Sequence, residues 1–168
     1  MSLFESLFEA LNRDDVRYVV AGGLAVVLHG HPRLTGDVDL IVDLDPPEAA
    51  KAIATLESIG LRSRVPVDPK SFADAKTREH WIRDKGMRVF SMWDPSNRLR
   101  EVDLFVAHPI PFEELWKRSE VVPLDSTHVR AASIDDLIAL KRLADRDVDR
   151  LDIAALEEIR RRRSGGSQ

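Results

Sequence analysis

Ala21-Gly22-Gly23-Leu24-Ala25, followed after an apolar stretch by Thr35-Gly36-Asp37-Val38-Asp39-Leu40, decides the reading of this chain. Side chains alternate faces along a strand, so Asp37 and Asp39 point one way while Val38, Leu40 and Val42 point into the opposite layer. Two carboxylates this close repel one another unless a cation lies between them, and their hard oxygens suit Mg²⁺ or Mn²⁺. Upstream, Gly22-Gly23 follow the apolar run Tyr18-Val19-Val20 and precede Leu24 to Leu28, which places them at a strand-to-helix turn. Glycines there let phosphate oxygens approach the backbone, and free N–H groups with the helix dipole favour an anion. One element is suited to a polyphosphate and the other to its metal.

The loop His31-Pro32-Arg33-Leu34-Thr35-Gly36 leads directly into the carboxylate strand. Arg33 and Thr35 therefore lie near whatever Asp37 and Asp39 bind, as phosphate contacts or as a solvated arginine and a turn threonine. His29 and His31 flank Gly30, a C-terminal cap; without a third imidazole or a thiolate nearby they are helix-end polar residues rather than a metal site.

The order strand, Gly-Gly, helix, Asp37-Val-Asp39 resembles the signature of the polymerase-beta-type nucleotidyltransferase superfamily. It is most similar to the minimal bacterial branch that includes the abortive-infection (type IV) toxin enzymes. The resemblance implies an α/β (α+β) nucleotidyltransferase fold: a mixed, twisted sheet, helices mainly on one face, and a C-terminal helical pair. It implies a third carboxylate on a later apolar strand, supplied by Val102-Asp103-Leu104-Phe105-Val106, with Glu101 on the same face as the alternative. It also implies a helical lysine followed by an arginine and Asp-x-x-Asp; Leu140-Lys141 precedes Arg146 and Asp149-Arg150-Leu151-Asp152. Many superfamily members carry serine where this chain has Gly23, which leaves backbone donors to hold the phosphates there.

On that resemblance Asp37, Asp39 and Asp103 are the expected catalytic and metal-binding residues, and Gly22, Gly23, Arg33, Thr35 and Lys141 the expected nucleotide contacts. The implied reaction is Mg²⁺-dependent (or Mn²⁺-dependent) transfer of a nucleoside monophosphate from a nucleoside triphosphate to a hydroxyl acceptor on a protein, an RNA or a small molecule, with pyrophosphate released. Implied with it are a place in a toxin–antitoxin or phage-defence system and a cognate toxin or antitoxin partner. The alternative is the same fold without catalysis, acting as an antitoxin-like partner-binding module. Two other Asp-x-Asp classes fit worse: haloacid-dehalogenase-type phosphatases want threonine where Ile41 stands, and metal-dependent glycosyltransferases have much longer chains.

With 168 residues the chain is expected to form one domain, residues 1–163, with a flexible tail at 164–168. A hydrophobic share of 43% and a charged share of 32% describe a globular protein with enough apolar surface for a core, and a net charge of -4 offers no global attraction to nucleic acid. The absence of cysteine excludes disulfides and thiolate metal sites. No apolar run approaches the ~20 residues that span a bilayer, and the first residues lack a basic segment, so a cytoplasmic protein with no membrane partner is expected.

Elsewhere, Leu3, Phe4, Leu7, Phe8 and Leu11 follow helical spacing, with Ser2 and Glu5 as a capping box. Asp45, Pro46 and Glu48 open a helix that runs to about Ile59. Residues 62–76 are expected to be a basic loop with a short helix near Phe72. His80 to Arg83 and Met87 to Trp93 are predicted as a hairpin turning at Lys85-Gly86, ahead of the strand Leu99–Ala107. A short helix spans Pro111–Arg118, and Val121–Leu124 with His128–Ala131 forms a second hairpin. Ser133 caps the helix that carries Lys141, and a further helix ends in Arg160–Arg163.

Overall fold

The computed structural model describes residues 2–166, with side chains from Phe4 onward. Helix α1 (Ser2–Arg13) leads into β1 (Tyr18–Ala21), α2 (Gly22–Leu28), β2 (Asp37–Val42) and α3 (Pro46–Ser58). A two-residue strand β3 (Arg62–Ser63) and a 3₁₀ turn (Pro69–Ala73) precede α4 (Ala75–Lys85), β4 (Val89–Asp94) and β5 (Asn97–Phe105). Then come α5 (Phe112–Arg118), β6 (Glu120–Pro123), β7 (His128–Ala131), α6 (Ile134–Ala144) and α7 (Asp147–Gly165). The strands form one mixed sheet in the order β3-β4-β5-β2-β1-β7-β6.

The pairing of β2 positions the site. It runs antiparallel to β1, with Ala21 opposite Asp39, and parallel to β5, with Asp37 opposite Glu101 and Asp39 opposite Asp103. Alternation sends the even-numbered residues into the core: Val38, Leu40, Val102, Leu104, Phe90 and Met92 are all at most 1% exposed. They pack with Ala52, Ile53 and Leu56 of α3, and Trp81 of α4 stacks on Phe90 at 5.2 Å between ring centroids. The odd-numbered residues, the aspartates among them, are left on the opposite face, where α2 and α6 stand.

The expected hairpin at residues 80–93 is instead a helix followed by a strand. Asp74 accepts hydrogen bonds from Thr77 N and Thr77 Oγ1 at 2.8 and 2.7 Å, which caps the start of α4, and Gly86 ends it in the left-handed region at φ +61°. A lysine-glycine pair serves a helix C-terminus as well as a hairpin turn, and the cap at Asp74 decides between them. The strand β4 does pair antiparallel with β5, through the turn at Pro95-Ser96 rather than at Gly86. The short helix expected near Phe72 is the 3₁₀ turn Pro69–Ala73, and Arg78 of α4, 6% exposed, ties to it by donating to the Phe72 carbonyl at 2.5 Å and also donates to the Leu44 carbonyl at 3.2 Å.

Asp45 stands at the start of α3 without a side-chain cap; its N–H donates to Asp43 Oδ1 at 3.0 Å, and Pro46 takes the first turn as expected. The Ser2 part of the proposed capping box lies outside the described side chains. Helix α7 continues through Ser164 and Gly165, the first two residues of the expected tail.

Candidate active site

Gly22 is where the strand-to-helix turn meets the carboxylates. Its φ is +61°, and a β-carbon added there would lie 1.8 Å from Asp39 Oδ2, so only glycine admits the aspartate. At Gly23 a β-carbon would lie 2.9 Å from Thr35 Oγ1 and 3.2 Å from Arg33 Cζ. The Thr35 hydroxyl therefore occupies the space beside the glycine that a serine side chain at this position would need.

Asp37, Asp39 and Asp103 come together at one end of the adjacent strands β2 and β5, each offering a carboxylate oxygen within 4.8 Å of the others. Among the described residues no cation pairs with any of the three. Burial, then the charges of Asp37 and Asp103, push the Asp39 carboxyl up to about 6, against the pull of Arg146 and Lys141. Burial and the Asp37 charge raise Asp103 as well, opposed by the hydroxyl of Ser91, which donates to Asp103 Oδ1 at 2.5 Å. Glu101 is turned away: Arg64 holds it through two bonds of 2.8 and 3.1 Å. Three converging hard oxygens in mutual repulsion, with no cation paired to them directly, are a donor set that fits a divalent cation.

The cations stand one layer back. Lys141, 4% exposed, donates to Asp152 at 2.7 Å and to Asp149 at 3.4 Å. Arg33 pairs with the same Asp152 carboxylate, and Arg146 grips Asp149 from its Nε at 2.8 Å and its backbone N–H at 3.1 Å. Burial works against the charge on Asp149, but the Arg146 bonds and Lys141 hold it below the usual carboxylate range. Arg33, Thr35, Gly23 and Arg146 border a cleft of about 500 Å³ with the three aspartates. Lys141 lies outside that cleft, in a small recess behind Gly22 and Asp39. His29, a helix-end residue as expected, bonds the Ala132 carbonyl at 2.8 Å.

The AbiEii model, described as a nucleotidyl transferase toxin of a type IV toxin–antitoxin system, matches residues 5–155. The chain belongs to this family. It is thus a nucleotidyltransferase, and its resemblance to that superfamily, read from the glycine pair and the aspartates, holds. Solved structures share the fold at low identity. The lincomycin-bound lincosamide antibiotic adenylyltransferase LnuA is 18% identical over 94% of this chain and 96% of its own, with a TM-score of 0.62. The ANT(2")-Ia complex with adenylyl-2"-tobramycin is 15% identical over 98% and 94%, with a TM-score of 0.59. An antigenic nucleotidyltransferase-like protein from Paracoccidioides brasiliensis is 17% identical over 92% and 73%, with a TM-score of 0.56. No curated protein matches the chain in sequence. No helix among the described residues is long and apolar enough to cross a membrane.

Two residues of the candidate site carry no local sequence signal of their own. Ser91 faces Asp103 only because of the β4–β5 register, which the misassigned hairpin turn concealed. Arg88, beside Val89 at the start of β4, borders the cleft for the same reason. Asp149 and Asp152 were visible as a motif, but their pairing with Lys141, Arg146 and Arg33 requires the packing of α6 against α7.

Proposed function

We propose that Asp37, Asp39 and Asp103 hold Mg²⁺ (or Mn²⁺) and that the chain transfers a nucleoside monophosphate from a triphosphate to a hydroxyl acceptor. The observation that carries this reading is a cluster of three carboxylates with no directly paired cation among the described residues, set in a cleft that Arg33 and Arg146 also border. A divalent ion held by these carboxylates would supply Lewis acidity, lowering the pKa of the acceptor hydroxyl and offsetting charge in an in-line displacement. Asp37 and Asp39 would hold the metal through their carboxylate oxygens. Backbone donors at Gly22-Gly23, the Thr35 hydroxyl and the Arg33 guanidinium bind the departing pyrophosphate, with Lys141 adding positive charge from behind Asp39. Asp103, oriented by Ser91, stands on the acceptor side, where its carboxylate would take the hydroxyl proton. The acceptor oxygen bonds to the α-phosphorus as the bond to pyrophosphate breaks.

The acceptor is a hydroxyl of a protein, an RNA or a small molecule, and the family description adds a cognate antitoxin as partner. Structural relatives crystallised with lincomycin and with adenylyl-2"-tobramycin support the small-molecule class. We place the reaction in the cytoplasm, with residues 1–163 as one catalytic domain.

Calorimetry tests the metal and nucleotide assignment. Each of the four nucleoside triphosphates is titrated with Mg²⁺ into the wild type and into the Asp37→Asn/Asp39→Asn double variant. At least one triphosphate should bind the wild type in a Mg²⁺-dependent manner and lose that dependence in the variant. Equal metal-dependent affinity in both proteins would refute the assignment.

A further inference from the structure

Beyond the carboxylate cleft lies a second cavity of about 280 Å³, bordered by Ile82, Phe105, Pro109, Leu140 and Leu143. It lies next to the cleft, with Arg88, Phe105 and Ala144 bordering both. Its position relative to the reacting centre follows from the topology. Strand β2 lies between β1 and β5, so Asp37 and Asp39 separate the glycine turn on one side from Asp103 on the other. Phe105, two residues beyond Asp103 on the same strand, shares its face.

In an in-line displacement the attacking oxygen and the leaving group lie on opposite sides of phosphorus. With pyrophosphate at Gly23, Arg33 and Thr35, the acceptor arrives from the Asp103 side and its body extends over Phe105. Resting on the transfer reaction proposed above, we infer that this cavity is the acceptor subsite and that it selects a small molecule whose hydroxyl is carried on a neutral, apolar body. Its walls are aliphatic and aromatic, and no carboxylate borders it among the described residues. A polycation finds no counter-charge there and meets Arg88 at the junction. A nucleic-acid strand needs a track of phosphate contacts, and Arg88 alone does not make one. The other titratable group on its border, His108, is bonded to the Val42 carbonyl at 2.8 Å.

Leu143 is a usable probe because it is 67% exposed, borders this cavity and lies outside the carboxylate cleft. Protein-observed NMR titration with p-cresol should move the amides of Ala107, His108, Leu140 and Leu143 saturably, while tobramycin should leave them unmoved. Leu143→Glu should weaken p-cresol about tenfold or more, by placing a charge against an apolar ring, and Leu143→Met should restore it. Both variants should bind Mg²⁺ and nucleotide as the wild type does. The inference is overturned if p-cresol perturbs other residues only, if tobramycin binds this cavity, or if Leu143→Glu weakens nucleotide and p-cresol equally, which would assign the cavity to the nucleoside. A wild type that binds none of the four triphosphates with Mg²⁺ removes the transfer reading itself, and the acceptor assignment falls with it even where p-cresol still occupies the cavity.

Discussion

Two groups of aspartates lie close together in this protein, one buried and one half-buried at the edge of the cleft, and they are treated in opposite ways. Asp149 and Asp152 on α7, at most 2% exposed, are neutralised by Lys141, Arg146 and Arg33. Asp37, Asp39 and Asp103 have no such partners, and Asp39 is pushed up to about 6. A buried carboxylate with matched cations belongs to the framework, whereas a cluster left in mutual repulsion is arranged for a charge the chain does not itself supply. The difference also assigns work to the cations: by pairing with α7 they are held around the cleft without filling it.

Substitutions in the two groups should therefore have opposite signs on stability and different consequences for activity. The largest effect is expected from Asp39→Asn, which should reduce nucleotidyl transfer on the order of a thousandfold or more while raising the melting temperature in EDTA, because it removes a charge held against its neighbours. Asp152→Asn should lower the melting temperature instead. It strips a partner from Arg33 and leaves the buried Lys141 with only its 3.4 Å contact to Asp149, and breaking a buried ion pair costs up to about 3–5 kcal/mol. A stabilising Asp152→Asn would break the distinction between the groups.

A pH titration of metal-free protein sharpens the same contrast. Asp39 has a folded pKa above its unfolded one, so the folded state holds its proton more tightly. The resulting stability is present below about 4 and is lost as pH rises to about 6, a loss on the order of 2–3 kcal/mol at roughly 1.4 kcal/mol per unit. Asp103 contributes with the same sign. Denaturant unfolding in EDTA should show the decline in the wild type and a shallower one in Asp39→Asn; an unchanged slope in the variant would contradict it. The smallest effect is expected at Ser91. Ser91→Ala removes the bond that orients Asp103 and should weaken Mg²⁺ binding about tenfold, as read by calorimetry, with little change in melting temperature.

These contrasts bear on what was legible in the sequence. The alternation of Asp37 and Asp39 with buried Val38 and Leu40, and the glycine pair one turn away, are local patterns, and they identified the fold and the cleft's acidic wall. Asp103 was within reach because an apolar run surrounds it, yet only the β2–β5 register separates it from Glu101, which Arg64 holds elsewhere. Lys85-Gly86 alone reads as a hairpin turn, and the deciding signal is Asp74, which caps the helix eleven residues before Lys85. What the sequence withheld were relations between distant elements: Ser91 with Asp103, Arg33 with Asp152, and the apolar cavity between β5 and α6. None of these has a spacing signature, because each depends on how sheet and helices pack.

The central claim is that the unpaired trio performs metal-dependent nucleotidyl transfer. Its most direct test incubates protein with each α-labelled nucleoside triphosphate, Mg²⁺ and a cell extract, then follows label into protein, RNA and small-molecule fractions alongside released pyrophosphate. Wild type should label one fraction with release of pyrophosphate, and Asp39→Asn or added EDTA should abolish both. Label transferred equally by Asp39→Asn, or undiminished in EDTA, would contradict the account.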